Sequence, residues 1–209
     1  MSSAPSPAPA RGWWRRNLGW LIGAAVLGTA AFVLPYRSAM RDLDNHTPRH
    51  RIDGTAKGTV YEGSRWRVVG VERKPGGGRA VIDYQHADGD TLLIRYEVIA
   101  GDGVDSKMLD RCKGRLVDAD GHRWEANEPW KLQRRYSAEK MATNCGSGYG
   151  WDGKQPMAKP GQPFFFTHIY LIPAGTPLQG LRAEILLPSM STTPPGSYLS
   201  FPLQPAPAR

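Results

Sequence analysis

The sequence predicts an all-β domain, an immunoglobulin-like β-sandwich of about seven to eight strands, preceded by one N-terminal transmembrane helix. Three observations predict it. Residues 18–36, "LGWLIGAAVLGTAAFVLPY", contain no charged residue. After residue 54, apolar and polar residues alternate at the two-residue period of strands. Turns rich in Gly, Pro, Asp and Asn separate these runs, and outside the apolar segment no helical period lasts beyond a turn or two.

The first ten residues, "MSSAPSPAPA", are a Ser/Ala/Pro tract too poor in large apolar groups to fold. With the Arg-containing residues after them they form a tail over 1–16, expected to be disordered and cytoplasmic. A helix over 17–36 is long enough to cross about 30 Å of hydrocarbon. Trp13, Trp14 and Trp20 mark one end and Tyr36 the other, at the depth favoured by amphipathic rings. A cleaved signal sequence would need a small-x-small site after its apolar core, and Arg37 interrupts that pattern, so a retained anchor is expected. Arg11, Arg15 and Arg16 precede the span, whereas Arg37, Arg41, Arg49 and Arg51 follow it, so basic residues alone do not orient it. The long segment and both cysteines lie after the helix. That arrangement predicts a cell-membrane protein with its N-terminus in the cytoplasm and its C-terminal domain outside.

Residues 37–53 read as a charged stalk. His46 and His50 have the spacing of a helical metal pair, but Pro48 between them opposes a helix there. The sandwich is assigned to 54–204. Its strands begin with "SRWRVVGVER" (64–73) and a weaker "AVIDYQH" (80–86). In "TLLIRYEVIA" (91–100), Leu92, Ile94, Tyr96 and Val98 face one way, Arg95 and Glu97 the other. "PFFFTHIYLIP" (163–173) is apolar on both faces, as a central strand would be. "LRAEILL" (181–187) puts Leu181, Ala183, Ile185 and Leu187 together. "SYLSFPL" (197–203) ends the domain, and Pro202 predicts an edge position. A tail follows at 205–209.

"CKGRLVDADGHRWEAN" (112–127) could hold calcium only if its oxygen ligands fell in register. With Gly121 at loop position 6, Leu116 occupies position 1 and Asn127 position 12, so the first ligand is a hydrocarbon and the bidentate Glu is missing. A hairpin fits instead, with Asp-Gly supplying positive φ angles and Asp118 and Asp120 facing solvent.

Together these runs resemble the bacterial extracytoplasmic immunoglobulin-like, telokin-like domains of unknown function. The resemblance rests on Leu92–Val98, on Leu116, Asp118, Asp120, Gly121 and Trp124, and on Gly161, Phe164–Tyr170 and Pro173. It spans roughly residues 58–204 and implies a fold and a location, with no activity to transfer. Two departures stand out. "AGDG" replaces an Asn after the alternating strand, and a long connection occupies 128–158.

Long connections in compact domains usually carry function. This one holds Trp130, Arg134, Arg135, Tyr136, Tyr149 and Trp151, residue types enriched at recognition hot spots. They form the candidate interaction surface, with a satellite core beneath the connection as the competing reading. Cys112 and Cys145 are the chain's two cysteines, and an even count outside the cytosol points to a disulfide. Closing that loop would stabilise the fold by roughly 3–4 kcal/mol on the chain-entropy account. Two unpaired buried thiols are the alternative. The spacing is not C-x-x-C, so no metal centre follows from it.

No catalytic residue, cofactor site or metal site is predicted. "SAEK" at 137–140 has the spacing of a Ser-x-x-Lys acyl-transferase, but the companion S-D-N and K-T-G elements are missing, and Ser137 suits a helix N-cap. "CGSGYGWDG" follows no strand and offers no Lys to a phosphate. His168 sits in an apolar strand and reads as a core or inter-sheet histidine. A net charge of +8 is spread along the chain rather than clustered, so a nucleic-acid footprint is not indicated. The expected function is a non-enzymatic, membrane-anchored binding module whose partners are the lipid bilayer and a protein or cell-envelope component. A structural subunit packing through Gly23, Ala24, Ala25 and Gly28 is the first alternative. A cell-wall hydrolase is the second.

Overall fold

The computed structural model describes residues 11–75, 89–127, 142–148, 156–188 and 192–203. The chain divides into two units, Met1–Asp44 and Asn45–Arg209.

The first unit is built on helix α1, Arg11–His46, 36 residues long with Pro35 inside it. Its stretch Gly12–Met40 is long and apolar enough to cross a membrane. Trp20, Val26, Leu27 and Phe32 along it are exposed. Residues 11–16, expected in a disordered tail, are part of the helix, and the predicted stalk is corrected on both sides. Residues 37–46 continue the helix, and His50–Asp53 form strand β1 of the sandwich. His46 is the last residue of the helix and His50 the first of β1, so the two form no helical pair, as Pro48 between them predicts; Pro48 lies just beyond the last turn, where proline commonly follows a helix end.

The second unit is a β-sandwich of nine strands among the described residues. After β1 come β2 (Thr59–Tyr61), β3 (Ser64–Lys74), β4 (Gly89–Ala100), helix α2 (Ser106–Leu109), β5 (Lys113–Val117), β6 (Arg123–Glu125), β7 (Pro163–Pro173), β8 (Arg182–Leu186) and β9 (Ser197–Pro202). One sheet runs β1-β9-β8-β5-β6 and the other β2-β3-β4-β7. β3-β4-β7 and β9-β8-β5-β6 reproduce the A-B-E and G-F-C-C′ orders of the immunoglobulin fold. β1 and β2 lie where the sequence reading placed no strand. Residues 80–86 lie outside the described residues.

Side-chain alternation builds the core. Leu92, Ile94, Tyr96 and Val98 of β4 and Phe166 and Tyr170 of β7 meet Leu116, Ala183, Ile185, Leu199 and Phe201 from the facing sheet. In β3 the register shifts between Val68 and Gly70. Without that extra residue Gly70 and Glu72 would face inward; with it Val71 packs against the core. Charged outward residues pair laterally. Arg67 reaches Glu97 at 2.6 Å, and Arg115 binds Glu184 with both groups nearly buried.

Two edge assignments are reversed. β9, expected at an edge because of Pro202, lies between β1 and β8. Its partner β1 pairs only as far as Ser200, so the missing N–H of Pro202 falls beyond that ladder. β7, expected to be central, is the last strand of its sheet. Its free side is nevertheless used. The Thr167 N–H donates to the Ala142 carbonyl, and Asn127 exchanges hydrogen bonds with Ile169 through its backbone N–H and its side-chain oxygen. Irregular chain thus covers this edge, and both faces can be apolar.

Candidate functional site

The Asp-Gly stretch is a hairpin turn, as expected. β5 and β6 pair out to Val117 and Arg123, and of the Asp-Gly pair only Gly121 takes the expected positive φ, +86°. Asp120 is exposed, whereas Asp118 turns back into the loop. It accepts from the backbone N–H groups of Asp120 and His122 and pairs with His122 Nδ1 at 2.7 Å. That hydrogen bond, together with the carboxylate's charge, raises the His122 pKa. Asp118, Asp120 and His122 converge, and their hydrogen bonds already account for the turn.

The more distinctive chemistry lies between the sheets. Helix α2 starts at the N-cap Asp105, whose side chain accepts from the Met108 N–H. The chain leaving it passes Asp110 and Cys112 before entering β5. Asp110 accepts from the Gly146 N–H at 3.0 Å, and the Asn127 side-chain amide donates to the Thr143 carbonyl at 2.9 Å. These bonds fix residues 142–148 beside the start of β5. There Cys112 and Cys145 form a disulfide, with Cα atoms 6.2 Å apart. Cys145 is fully buried; Cys112 is partly so.

Odd-even alternation in β7 turns His168 inward, under this disulfide. Its Nε2 lies 3.6 Å from Cys145 Sγ and 3.9 Å from Cys112 Sγ, and its Nδ1 lies 3.4 Å from the Tyr170 hydroxyl. Gly114 of β5 makes room for the ring, since a Cβ there would collide with the imidazole. Tyr96 and Phe166 close in with ring centroids 5.2 and 5.0 Å away. Burial pushes the His168 pKa down to about 3, so the ring is neutral at physiological pH. A cleft of about 510 Å³ opens over this group. His168 and both cysteines line it, with Asp110, Lys113 and Glu125 among its charged residues.

Trp130, Arg134, Arg135, Tyr136, Tyr149 and Trp151, the candidate interaction residues, lie outside the described residues, as does the "SAEK" stretch. The ends of the segments carrying them are fixed. Asn127 and Ala142 both bond to β7, and Gly148 and Pro156 are joined by an N–H···O bond of 2.9 Å. Asn127 also borders the cleft. His168 itself was read correctly as an inter-sheet residue. Its meeting with the cysteine pair was missed. The inward parity of residue 168 was a usable signal, but the partner strand was not legible without the sheet order.

No family model matches the chain, and no curated protein does. Among solved structures, a β-sandwich protein of Clostridium difficile 630 described as uncharacterized is 8% identical, with 76% of this chain and 97% of that chain covered and a TM-score of 0.41. The yjhA protein of Bacillus subtilis is 13% identical, with 72% and 99% covered and a TM-score of 0.42. Likeness at this level bears on neither family nor function.

Proposed function

We propose that this chain is a membrane-anchored, extracytoplasmic binding module of the telokin-like, immunoglobulin-like kind, without enzymatic activity. Helix α1 anchors it, the N-terminus stays in the cytoplasm, and the sandwich recognises a protein or cell-envelope component. The observation that carries this reading is the pairing, in one chain, of an apolar helix long enough to span with a disulfide-bonded sandwich. Disulfides persist in oxidising compartments, which favours the outer side of a membrane. The recognition surface is assigned to Trp130, Arg134, Arg135, Tyr136, Tyr149 and Trp151, because aromatic and Arg side chains dominate interface energetics. Basic residues there would also favour anionic envelope polymers.

The test uses the full chain in its native membrane. A photoreactive side chain is placed at residue 130 or 135, and at Val60, exposed on β2, as a control. Cross-linked adducts at 130 and 135 but not at 60, on a sandwich that external protease can digest in intact cells, are the expected result. A sandwich digested only after the cells are opened, or adducts equally frequent at Val60, would overturn the reading.

A further inference from the structure

We propose that reduction of Cys112–Cys145 turns the floor of the cleft into a metal site, with the two thiolates and His168 Nε2 holding a soft divalent cation such as Zn²⁺. The inference stands apart from the binding-module reading and needs no particular partner.

Geometry carries it. The three ligand atoms lie within 4.8 Å of one another. In a tetrahedral site with Zn–S near 2.3 Å and Zn–N near 2.0–2.1 Å, sulfur and imidazole nitrogen are about 3.6 Å apart. His168 Nε2 already stands 3.6 and 3.9 Å from the two sulfurs. Only the sulfurs must part, from bonding distance to about 3.8 Å, once the covalent bond is gone.

The surroundings suit the ligand set. For Nε2 to offer its lone pair, the ring proton must sit on Nδ1, and the Tyr170 hydroxyl stands 3.4 Å away to accept it. Asn127 clamps the backbone at Ile169, next to the ligand. The cleft leaves the fourth position open to water or to an incoming ligand. Two thiolates also balance a divalent charge, so the buried site is neutral overall.

The chemistry closes. A dithiol reductant gives two electrons and two protons, the Cys112–Cys145 bond breaks to two thiols, and the dithiol becomes its own disulfide. Binding of the cation then releases the two thiol protons.

The full chain in detergent is reduced with a dithiol under argon, freed of reductant and titrated with Co²⁺. Thiolate-to-cobalt charge-transfer absorption that saturates at one equivalent, and is absent from the oxidised chain, is expected. His168→Gln, checked for folding in its oxidised form, should weaken binding at least tenfold. A second readout needs no substitution. In the reduced wild type, one equivalent of Zn²⁺ should move the ¹⁵N resonance of His168 Nε2, whereas the oxidised protein should not respond. Absence of the thiolate band from the reduced chain, folded or not, overturns the proposal; so does a thiolate band with His168 Nε2 unmoved.

Discussion

Tyr61 and His168 are both buried between the two sheets, and burial shifts both, yet they are partnered very differently. The Tyr61 hydroxyl accepts from the Leu187 N–H at 3.1 Å and donates to the Ser197 carbonyl at 2.8 Å, clasping β2 to the opposite sheet. Desolvation pushes its pKa up to about 12, so it remains a neutral donor. His168 has no contact so close. Its ring nitrogens meet a tyrosine hydroxyl and two sulfurs at 3.4–3.9 Å, beside an open cleft. A buried polar group that is fully bonded stiffens a fold. One held loosely beside a cleft keeps capacity for chemistry.

Acid gives the largest expected separation of the two. The folded state holds His168 near pKa 3, whereas the unfolded chain takes up a proton near its ordinary value of 6.5. Between those values the unfolded state binds more protons, so stability falls as pH drops from about 6.5 towards 3. Three and a half pH units set an upper bound of roughly 5 kcal/mol on this single group. Guanidinium unfolding of the oxidised protein, followed across that range, reads the loss. His168→Leu should flatten the slope, with a pH-independent loss of about 1–3 kcal/mol because the buried Tyr170 hydroxyl loses its partner at His168 Nδ1. Asp110 and Glu125 of the cleft are present in both proteins, so whatever they contribute cancels in the difference. An identical slope in the variant sinks the assignment.

Tyr61→Phe should cost about 2–3 kcal/mol, because it strands a buried N–H and a buried carbonyl together. The loss should be level from pH 5 to 8, unlike that at His168. Hydrogen exchange at the Leu187 amide is the direct check; protection kept in the variant shows that the clasp carries no weight.

Much of this framework was legible in the sequence, and the reason is periodicity. The inward set of β4, the outward Arg182 and Glu184, and the Asp-Gly turn each follow from residues within a few positions of one another. What failed depends on distant partners. Pro202 gives no hint that β1, some 150 residues earlier, stops at Ser200. The double-faced apolarity of β7 was real, but irregular chain at Asn127 and Ala142 explains it, not a neighbouring strand. The stalk departs from expectation because charged residues suit a helix that continues past an apolar span as well as they suit a loop. At the candidate site both cysteines and the histidine were noticed separately. Their meeting needs Gly114 of β5 to face His168, which no local pattern encodes.

The smallest effect belongs to a histidine outside the sandwich core. His122 is exposed, and its pKa is raised mainly by the hydrogen bond to Asp118 and then by the carboxylate's charge, with a further contribution from Asp120. Its sign is opposite to that of His168. Stability from the Asp118–His122 pair is present below the ordinary histidine value and fades as pH rises through the raised one. Asp118→Asn should return the His122 pKa towards 6.5 in an NMR titration, leaving unfolding nearly unchanged because exposed pairs contribute little. The Asn oxygen can still accept from the Asp120 and His122 N–H groups, so the turn itself should persist. Were the His122 pKa to stay put, the carboxylate would not be the cause. The contrast between the two histidines would then rest on burial alone.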